Sequence, residues 1–523
     1  MQKLISAAQA AALIPDGATL AVNSSSGLNC PDAILKAIGE RCAEIGQPRQ
    51  LTSIHPIAAG DMYGITGIDY LAQPGLLKRV IAGSYPSGPS SLPSPKIWQM
   101  IDADEVEAYN VPSGLLFHSL REVAAKRPGL LTKVGMYTFL DPRQQGGKMN
   151  TCTQEDLIKL VEFEGEDWLY LKAIPIDVAI IRGTTADAYG NITMEQEGGY
   201  LGAYDVALAA RNCGGIVIAQ VKRLAAVDTL PAQQVRVPGV LVDYVVVEPE
   251  QMQTTQTVYD PAISGELRQA IGTVEPVEWN ADKVIARRAA MELRQGEAVN
   301  LGFGISALVT RILLEEGLHG SVTWVIEQGA VGGLPLLGFQ FGCAANAQAI
   351  IPSSDQFSYF QGGGFDRCLL SFMEIDREGN VNVSRLKARP HITAGVGGFI
   401  DITAHAKNIV FSGYFTTGSL RLSLDQGRLN IQQEGKVHKL VSAVEHITFS
   451  GRRARELGQN VTYITERCVI RLTQNGLTVT EIAPGLDLER DILQQADFPL
   501  QVSLDLKEMD HRLFKPEPMG LTL

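Results

Sequence analysis

No stretch of the 523 residues approaches 18 consecutive apolar positions, so no membrane-spanning helix is expected. Cysteine is sparse. The seven thiols (Cys30, Cys42, Cys152, Cys213, Cys343, Cys368 and Cys468) are odd in number, widely spaced and free of any C-x-x-C pair. That excludes a disulfide framework and a zinc site and fits buried thiols in a reducing compartment. Basic residues are in deficit, 45 Lys and Arg against 57 Asp and Glu for a net charge of −12. The balance argues against general binding to nucleic acid or anionic membranes and leaves room for a local pocket that takes a small anion. The eight histidines form no metal pattern: His319 follows Glu315 by four and His405 follows Asp401 by four, but neither pair has a second His or a Cys beside it. There is also no Gly-x-Ser-x-Gly elbow, no His-Glu-x-x-His and no Gly-x-x-x-x-Gly-Lys-Ser/Thr loop. Metal catalysis, serine hydrolysis and nucleotide phosphoryl transfer lose support accordingly. The first residues carry one lysine and a short apolar run that soon meets Pro15 and Asp16. They read as an amphipathic helix and a turn, not a signal peptide, and the cytoplasm is the expected location.

What is present is 45% apolar and 20% charged residue content with 52 glycines, the composition of a folded, loop-rich α/β enzyme of two to four domains. Short β-branched runs at Ile174 to Ile181, Gly215 to Gln220, Val240 to Val247, Ala298 to Leu301, Val322 to Ile326 and Asn408 to Phe411 read as buried strands. Helices are expected between them, over Glu155 to Glu164, Ala281 to Gln295 and Ala307 to Glu316. Such alternation predicts parallel sheets covered by helices in open α/β domains. A repeat supports two of them. Asp177 to Ile192 overlays Asp366 to Val381, with Asp177 on Asp366, Asp187 on Asp376 and the Gly190-Asn191 pair on Gly379-Asn380 at one constant offset. Asp16 to Val22 likewise resembles Gln295 to Leu301. Fixed spacing favours duplication over chance. The polar stretch Gln251 to Asp260 is the expected linker, dividing the chain into related domains at 1–260 and 275–523.

Two kinds of motif point to chemistry. In Thr323-Trp-Val-Ile-Glu327-Gln328-Gly329-Ala-Val-Gly332-Gly333-Leu-Pro335, a strand runs into a glycine-rich turn and sets Glu327 at the strand's carboxyl end, the edge where open α/β sheets bind ligands. The glycines let backbone approach a ligand closely. From the motif alone, an ordinary strand-end carboxylate remains an alternative. Asn300-Leu-Gly302-Phe303-Gly304-Ile305-Ser306 follows a strand and precedes a helix, a context for cradling an anion on backbone N–H groups. It lacks the third glycine of a dinucleotide fingerprint. Gly362 to Gly364 and Gly395-Val-Gly397-Gly398 are further loops where backbone donors can converge, and tight turns are their plain alternative.

Taken together, the segments Thr138 to Asn150, Arg182 to Asn191, Glu327 to Pro335, Gly379 to Ser384, Gly395 to Ile402 and Tyr463 to Cys468 resemble the family I CoA-transferases, especially the acetate/propionate-type acyl-CoA:carboxylate CoA-transferases. The similarity spans essentially the whole chain. It implies two related open α/β domains in one chain, of the CoA-transferase-like NagB/RpiA-type superfamily, the second carrying the catalytic glutamate. It also implies a homo-oligomer, a tetramer or dimer, and coenzyme A or acyl-CoA with small carboxylic acids as substrates, with no prosthetic group. Glu327 resembles the catalytic glutamate, forming an acyl-glutamyl anhydride and then a glutamyl-CoA thioester in ping-pong fashion. None of these steps moves a proton, which accords with the absence of a histidine base. By the same resemblance Gly398 supplies an oxyanion N–H, Gly302, Phe303, Gly304, Ile305 and Ser306 contact CoA, and Gly397 lies near it. Arg143, Lys148, Lys387 and Arg389 are candidates for its phosphates, with plain solvated charge as the alternative.

The sequence departs from the family pattern at Ser113, where a glutamine normally lies against the catalytic carboxylate, at Asn23 to Ser26 in place of a Gly-Phe loop, at Ser306 in place of proline and at Ser371 in place of glycine. A reshaped acyl pocket around Ser113, Ser25 and Ser26 is the implied consequence, for an acid more polar or bulkier than acetate. The other readings are a thioesterase on the same glutamate, a non-catalytic acyl-CoA binder and, least favoured, a phosphosugar isomerase, a class that resembles only one half of the chain.

Overall fold

The computed structural model describes residues 3–61, 63–86, 94–271, 274–386 and 394–523. They form two compact units. Unit 1 comprises Met1–Gln269, Ile326–Ser358 and Leu386–Asp401, and unit 2 comprises Ala270–Val325, Tyr359–Arg385 and Ile402–Leu523. The first continuous stretch of unit 1 ends at Gln269. Two later stretches, one carrying Glu327 and the other Gly398, also belong to unit 1, so the division is not a single cut.

Unit 1 is built on seven parallel strands: β1 (Thr19–Val22), β2 (Leu51–His55), β3 (Leu77–Ala82), β4 (Glu107–Asn110), β5 (Val178–Ala186), β6 (Ile216–Leu224) and β7 (Tyr244–Val247). Their order is β7-β6-β5-β1-β2-β3-β4, so the chain winds outward from β1 and then restarts on its other side at β5. All nine residues of β5 are buried, as a strand covered on both faces requires. The covering helices follow from spacing. In Asp32–Ile45, Ile34, Leu35, Ile38 and Cys42 recur at helical intervals and are buried, and Gly46 in the left-handed region ends the helix.

Unit 2 repeats this plan with β8 (Ala298–Leu301), β9 (Thr323–Val325), β10 (Arg367–Ser371), β11 (Asn408–Ser412) and β12 (Asn460–Ile464), in the parallel order β9-β8-β10-β11-β12. An extension of β13 (Cys468–Thr473), β14 (Gly476–Ile482) and β15 (Gln501–Glu508) continues the sheet.

The repeat read from the sequence has a physical basis. Asp177 accepts the Thr19 N–H at 2.8 Å and Asp366 accepts the Ala298 N–H at 2.8 Å, each carboxylate tying the repeat strand to its neighbour. Asp187 accepts the N–H groups of Tyr189 and Asn191 and the side-chain amide of Asn191. Asp376 does the same with Glu378 and Asn380. Each asparagine then accepts a distant glycine N–H, from Gly239 at 2.7 Å and Gly451 at 2.9 Å. Gly190 and Gly379 have φ of 85° and 77°, which a side chain would disfavour. The matched residues are fasteners of the frame.

Three expectations change. Glu155 to Glu164 is not a helix: Ile158–Phe163 pairs with Glu166–Lys172 as an antiparallel hairpin. Glu164 and Gly165 both take positive φ, 52° and 75°, the two-residue turn that suits a hairpin's twist. Ile174 to Ile181 shifts to Val178–Ala186, because the strand runs on through Arg182, whose charge is matched by Glu197. The expected linker is packed, with Gln253 and Thr254 buried and their neighbours spanning backbone groups: Gln251 donates to the Gly183 carbonyl and Gln253 to that of Gln196. Of the cysteines, five are buried, Cys152 is half-buried and Cys213 is exposed.

Replacing Asn191 or Asn380 by Ala strips two side-chain hydrogen bonds and leaves a glycine N–H without its acceptor. Each variant should lose about 2 kcal/mol, seen in calorimetry as a melting temperature roughly 4–8 °C lower. A change within one degree would mean that neither turn fastens the unit it lies in.

Candidate active site

The carboxyl edge of the unit 1 sheet is where its loops converge, and the winding reverses there between β1 and β5, the usual place for a ligand crevice. Asn23 to Ser26 leave β1, Gly83 leaves β3, and Asn110 ends β4 ahead of the helix Ser113–Ala124. Against this edge the segment 394–398 is fastened at four points. The Tyr85 N–H donates to the Ala394 carbonyl at 2.7 Å, the Val396 N–H to Asn110 Oδ1 at 2.9 Å, the Gly397 N–H to the Gly83 carbonyl at 2.8 Å, and the Ser113 N–H to the Gly397 carbonyl at 2.9 Å. Asn110 is itself held by the carbonyls of Ala82 and Gly83, and the Gly114 N–H donates to Asp401. A serine N–H is free to do this because the first N–H groups of a helix have no partner within it.

The result is that Gly398 is pressed onto Glu327. A Cβ at residue 398 would lie 2.2 Å from Glu327 Oε2 and 2.7 Å from the Phe357 ring, so a side chain there would displace the carboxylate. Phe357 in turn stacks on Phe117 with centroids 5.9 Å apart. Glu327 stands in a tight turn, with the Ile326 N–H on the Ala330 carbonyl and the Gly329 N–H on the Ile326 carbonyl, both at 2.9 Å. Gly329, at φ 111°, passes so close to the Ile351 carbonyl that a Cβ would sit 1.9 Å from it.

The Glu327 carboxylate keeps only partial exposure, and loss of hydration among protein atoms pushes its pKa up to about 7. Two hydrogen bonds oppose that rise, from the Gln328 side-chain amide and the Gly398 backbone N–H. Gln328 Nε2 lies 3.2 Å from Glu327 Oε1 and 3.2 Å from Ser25 Oγ. Unit 1 therefore brings together Glu327, Gly397, Gly398, Ser113 and Ser25. Ser113 and Ser25 are buried, and Ser113 Oγ has no hydrogen-bond partner. Ser26 is exposed and acts through its backbone, accepting from the Gly60 N–H. Asn23 caps the Gly202 N–H. Gln328 and Asn110 were not picked out in the sequence; the available signal for each was position, one beside Glu327 and one ending a strand before Val-Pro-Ser113.

The loop Gly302 to Ser306 belongs to unit 2. Gly302 pairs with the Leu369 carbonyl at 2.8 Å, Gly304 has φ 94°, and Phe303 stands 69% exposed at the tip. The two departures in this region meet: Ser371 Oγ donates to the Phe303 carbonyl at 2.9 Å and lies 3.2 Å from Ser306 Oγ. A Cβ at Gly304 would come 2.9 Å from Ser371 Oγ. A hydroxyl pair thus fastens a loop that lacks its proline. Of the basic candidates, Arg143 is committed to Asp141 and Asp167, and Lys148 to Asp156 and the Gln154 carbonyl. Lys387 and Arg389 lie outside the described residues. Among the described residues no cluster of three or more His, Cys, Asp or Glu is arranged to hold a metal ion, and no helix is long and apolar enough to cross a membrane.

Comparison with known proteins agrees with this architecture. The family model described as Coenzyme A transferase matches residues 4–248. Over 526 aligned residues the chain is 42% identical to the acetate CoA-transferase YdiF of Escherichia coli (strain K12), covering 99% of this chain and 96% of that protein. It is also 42% identical to the caffeate CoA-transferase of Acetobacterium woodii, covering 100% and 99%. A crystal structure of the acyl-CoA transferase YdiF from E. coli O157:H7, described as a thioester complex with CoA, superposes with a TM-score of 0.91 at 41% identity over 100% of this chain and 98% of that one.

The hydroxyl fastening makes a local prediction. Ser371→Ala should raise amide exchange confined to residues 302–306 by about fivefold, the loss of one hydrogen bond worth about 1 kcal/mol. Unchanged exchange there would mean that the loop is held by its backbone alone.

Proposed function

This chain belongs to the family I coenzyme A transferases, and we propose that it carries coenzyme A from a short-chain acyl-CoA to a free carboxylic acid through a covalent thioester on Glu327. The observation that carries this reading is the Glu327 carboxylate itself: poorly hydrated and held by one backbone N–H, that of Gly398, beside the Gln328 amide. The Glu327 oxygen attacks the thioester carbonyl, the C–S bond breaks, and CoA thiolate leaves an acyl-glutamyl anhydride. The thiolate then attacks the glutamyl carbonyl, expelling the acid as its carboxylate and leaving glutamyl-CoA. An incoming carboxylate runs the same steps in reverse. Gly398 N–H stabilises the oxyanion that forms at the glutamyl carbon, and burial keeps water from the anhydride. Gly302, Phe303, Gly304, Ile305 and Ser306, with Gly397, bind the CoA moiety, and no prosthetic group takes part. The thioester complex described for the E. coli relative supports the intermediate. The same family reading extends to a cytoplasmic homodimer or homotetramer.

The acid side of the pocket is set by Ser113. Its Oγ is buried without a partner, so an acid whose chain carries a hydrogen-bonding group recovers there a cost of about 1–3 kcal/mol that acetate's methyl group cannot. The preferred acids are accordingly more polar or bulkier than acetate.

Intact mass spectrometry after incubation with acetyl-CoA or propionyl-CoA tests the reaction. A CoA-sized adduct is expected on the native protein, absent from Glu327→Ala and discharged by added carboxylate; steady CoA release without any acceptor would indicate a thioesterase instead. Because only the ionised carboxylate attacks, kcat/KM for acyl-CoA should fall as pH drops below about 7. In a panel of acceptors, hydroxy and branched acids should outrun acetate and propionate, and the reverse order would remove Ser113 as the selector.

A further inference from the structure

Gln328 has no part in the steps above, yet it is among the most carefully housed side chains of unit 1. It is 3% exposed. Gly342, at φ 102°, faces its side chain so closely that a Cβ there would lie 2.7 Å from Gln328 Cδ, and a Cβ at Gly199 would lie 2.9 Å from its backbone carbonyl. One glycine thus makes room for the carboxamide and a second for the backbone that carries it. Its Nε2 divides its two protons between Ser25 Oγ and Glu327 Oε1, each at 3.2 Å, while its Oε1 is buried with no partner. A carboxylate only accepts, so the amide edge that faces ionised Glu327 is the NH2 edge. Leaving the amide oxygen unpaired costs stability, and the arrangement is retained with the donor on Glu327.

We propose that Gln328 is a positioning residue for the transfer, its carboxamide braced on Ser25 and holding Oε1 of Glu327 while Gly398 closes on Oε2. The inference rests on the reading of Glu327 as the nucleophile. Position 113 holds a serine whose Oγ has no partner, so the side-chain amide beside the carboxylate comes from residue 328 instead. Held at both oxygens, Glu327 keeps one orientation for attack and returns to it when the thioester is discharged. The donor also favours the charged form. Among the described residues no charged group enters the Glu327 balance, which is made of burial, Gln328 and Gly398. On the elements packed around it, Asp355 is paired with Arg121, Asp401 accepts the Gly114 N–H, and burial keeps the Cys343 thiol protonated. Among the described residues no neighbouring cation stands ready to replace the Gln328 donor.

The test compares native protein, Gln328→Met, Ser25→Ala and Glu327→Ala with acetyl-CoA, following adduct formation and kcat/KM from pH 5.5 to 9. Methionine keeps the length of the side chain and removes the donor. Removal of a donor to a carboxylate raises its pKa, so the acid limb of Gln328→Met should move to higher pH by about one unit. Its kcat should fall roughly tenfold with little change in KM, the adduct still forming. Ser25→Ala should move the limb in the same direction by less. A folded Gln328→Met protein with an unmoved limb and native kcat overturns the proposal. If that variant fails to fold, Ser25→Ala decides, and an unmoved limb there overturns it. Turnover by Glu327→Ala would show instead that the nucleophile reading had failed, and the role of Gln328 with it.

Discussion

A carboxylate with too little water is the constraint from which the rest of unit 1 follows. In bulk solvent a glutamate is a poor nucleophile because its charge is well hydrated; withdrawn from water, it regains reactivity but resists ionisation. Glu327 sits between these limits, pushed up to about 7 by burial and restrained by two hydrogen bonds. Both donors have to be fixed in place, since a mobile donor would give back in entropy what it gains in attraction. Gly398 is fixed by the four-point fastening of 394–398, and the Gln328 amide by its glycine-lined slot and Ser25. Glycine recurs here for a steric reason, because at 398, 329 and 342 a methyl group would occupy space already held by an oxygen or a side chain.

That precision needs a stiff frame, and each unit stiffens itself with buried charge. Arg182 and Glu197, both 2% exposed, form a bidentate pair at the middle of β5, where Arg182 also donates to the Met252 carbonyl. In unit 2, Arg467 is fully buried and engages Glu466, Glu434, Thr416 and the Asp491 carbonyl. Pairs of this kind add little net stability over apolar packing, but they demand one geometry, since breaking them strands a charge. The Asp-x-x-Gly-Asn turns act the same way at the ends of β5 and its counterpart region in unit 2.

Legibility in the sequence tracks the range of the forces involved. The repeat was visible because Asp177 and Asp187 and their partners Asp366 and Asp376 make local turns and adjacent-strand ties that demand those residue types. Glu327 stood out because a strand end followed by glycines is a local pattern. The Ile158–Phe163 strand reads as helix in the sequence because its charged residues suit a helix as well, and only the Glu164-Gly165 turn decides. Gln251 to Asp260 looked like a linker because amide side chains are polar, whereas here they span backbone groups in the interior.

By itself the sequence determined the parallel α/β class and the duplication, because these are written in composition, periodicity and repeated motifs, while likeness to known transferases supplied the family. Tertiary structure alone decided that residues 326–358 and 386–401 join unit 1, that Gly398 and Gln328 meet Glu327 at opposite oxygens, and that Ser371 reaches the loop of Ser306. Apart from the neighbours Glu327 and Gln328, these pairings join residues tens to hundreds of positions apart. Their energies depend on distances of a few tenths of an ångström, which no local pattern encodes and which only the packed chain sets.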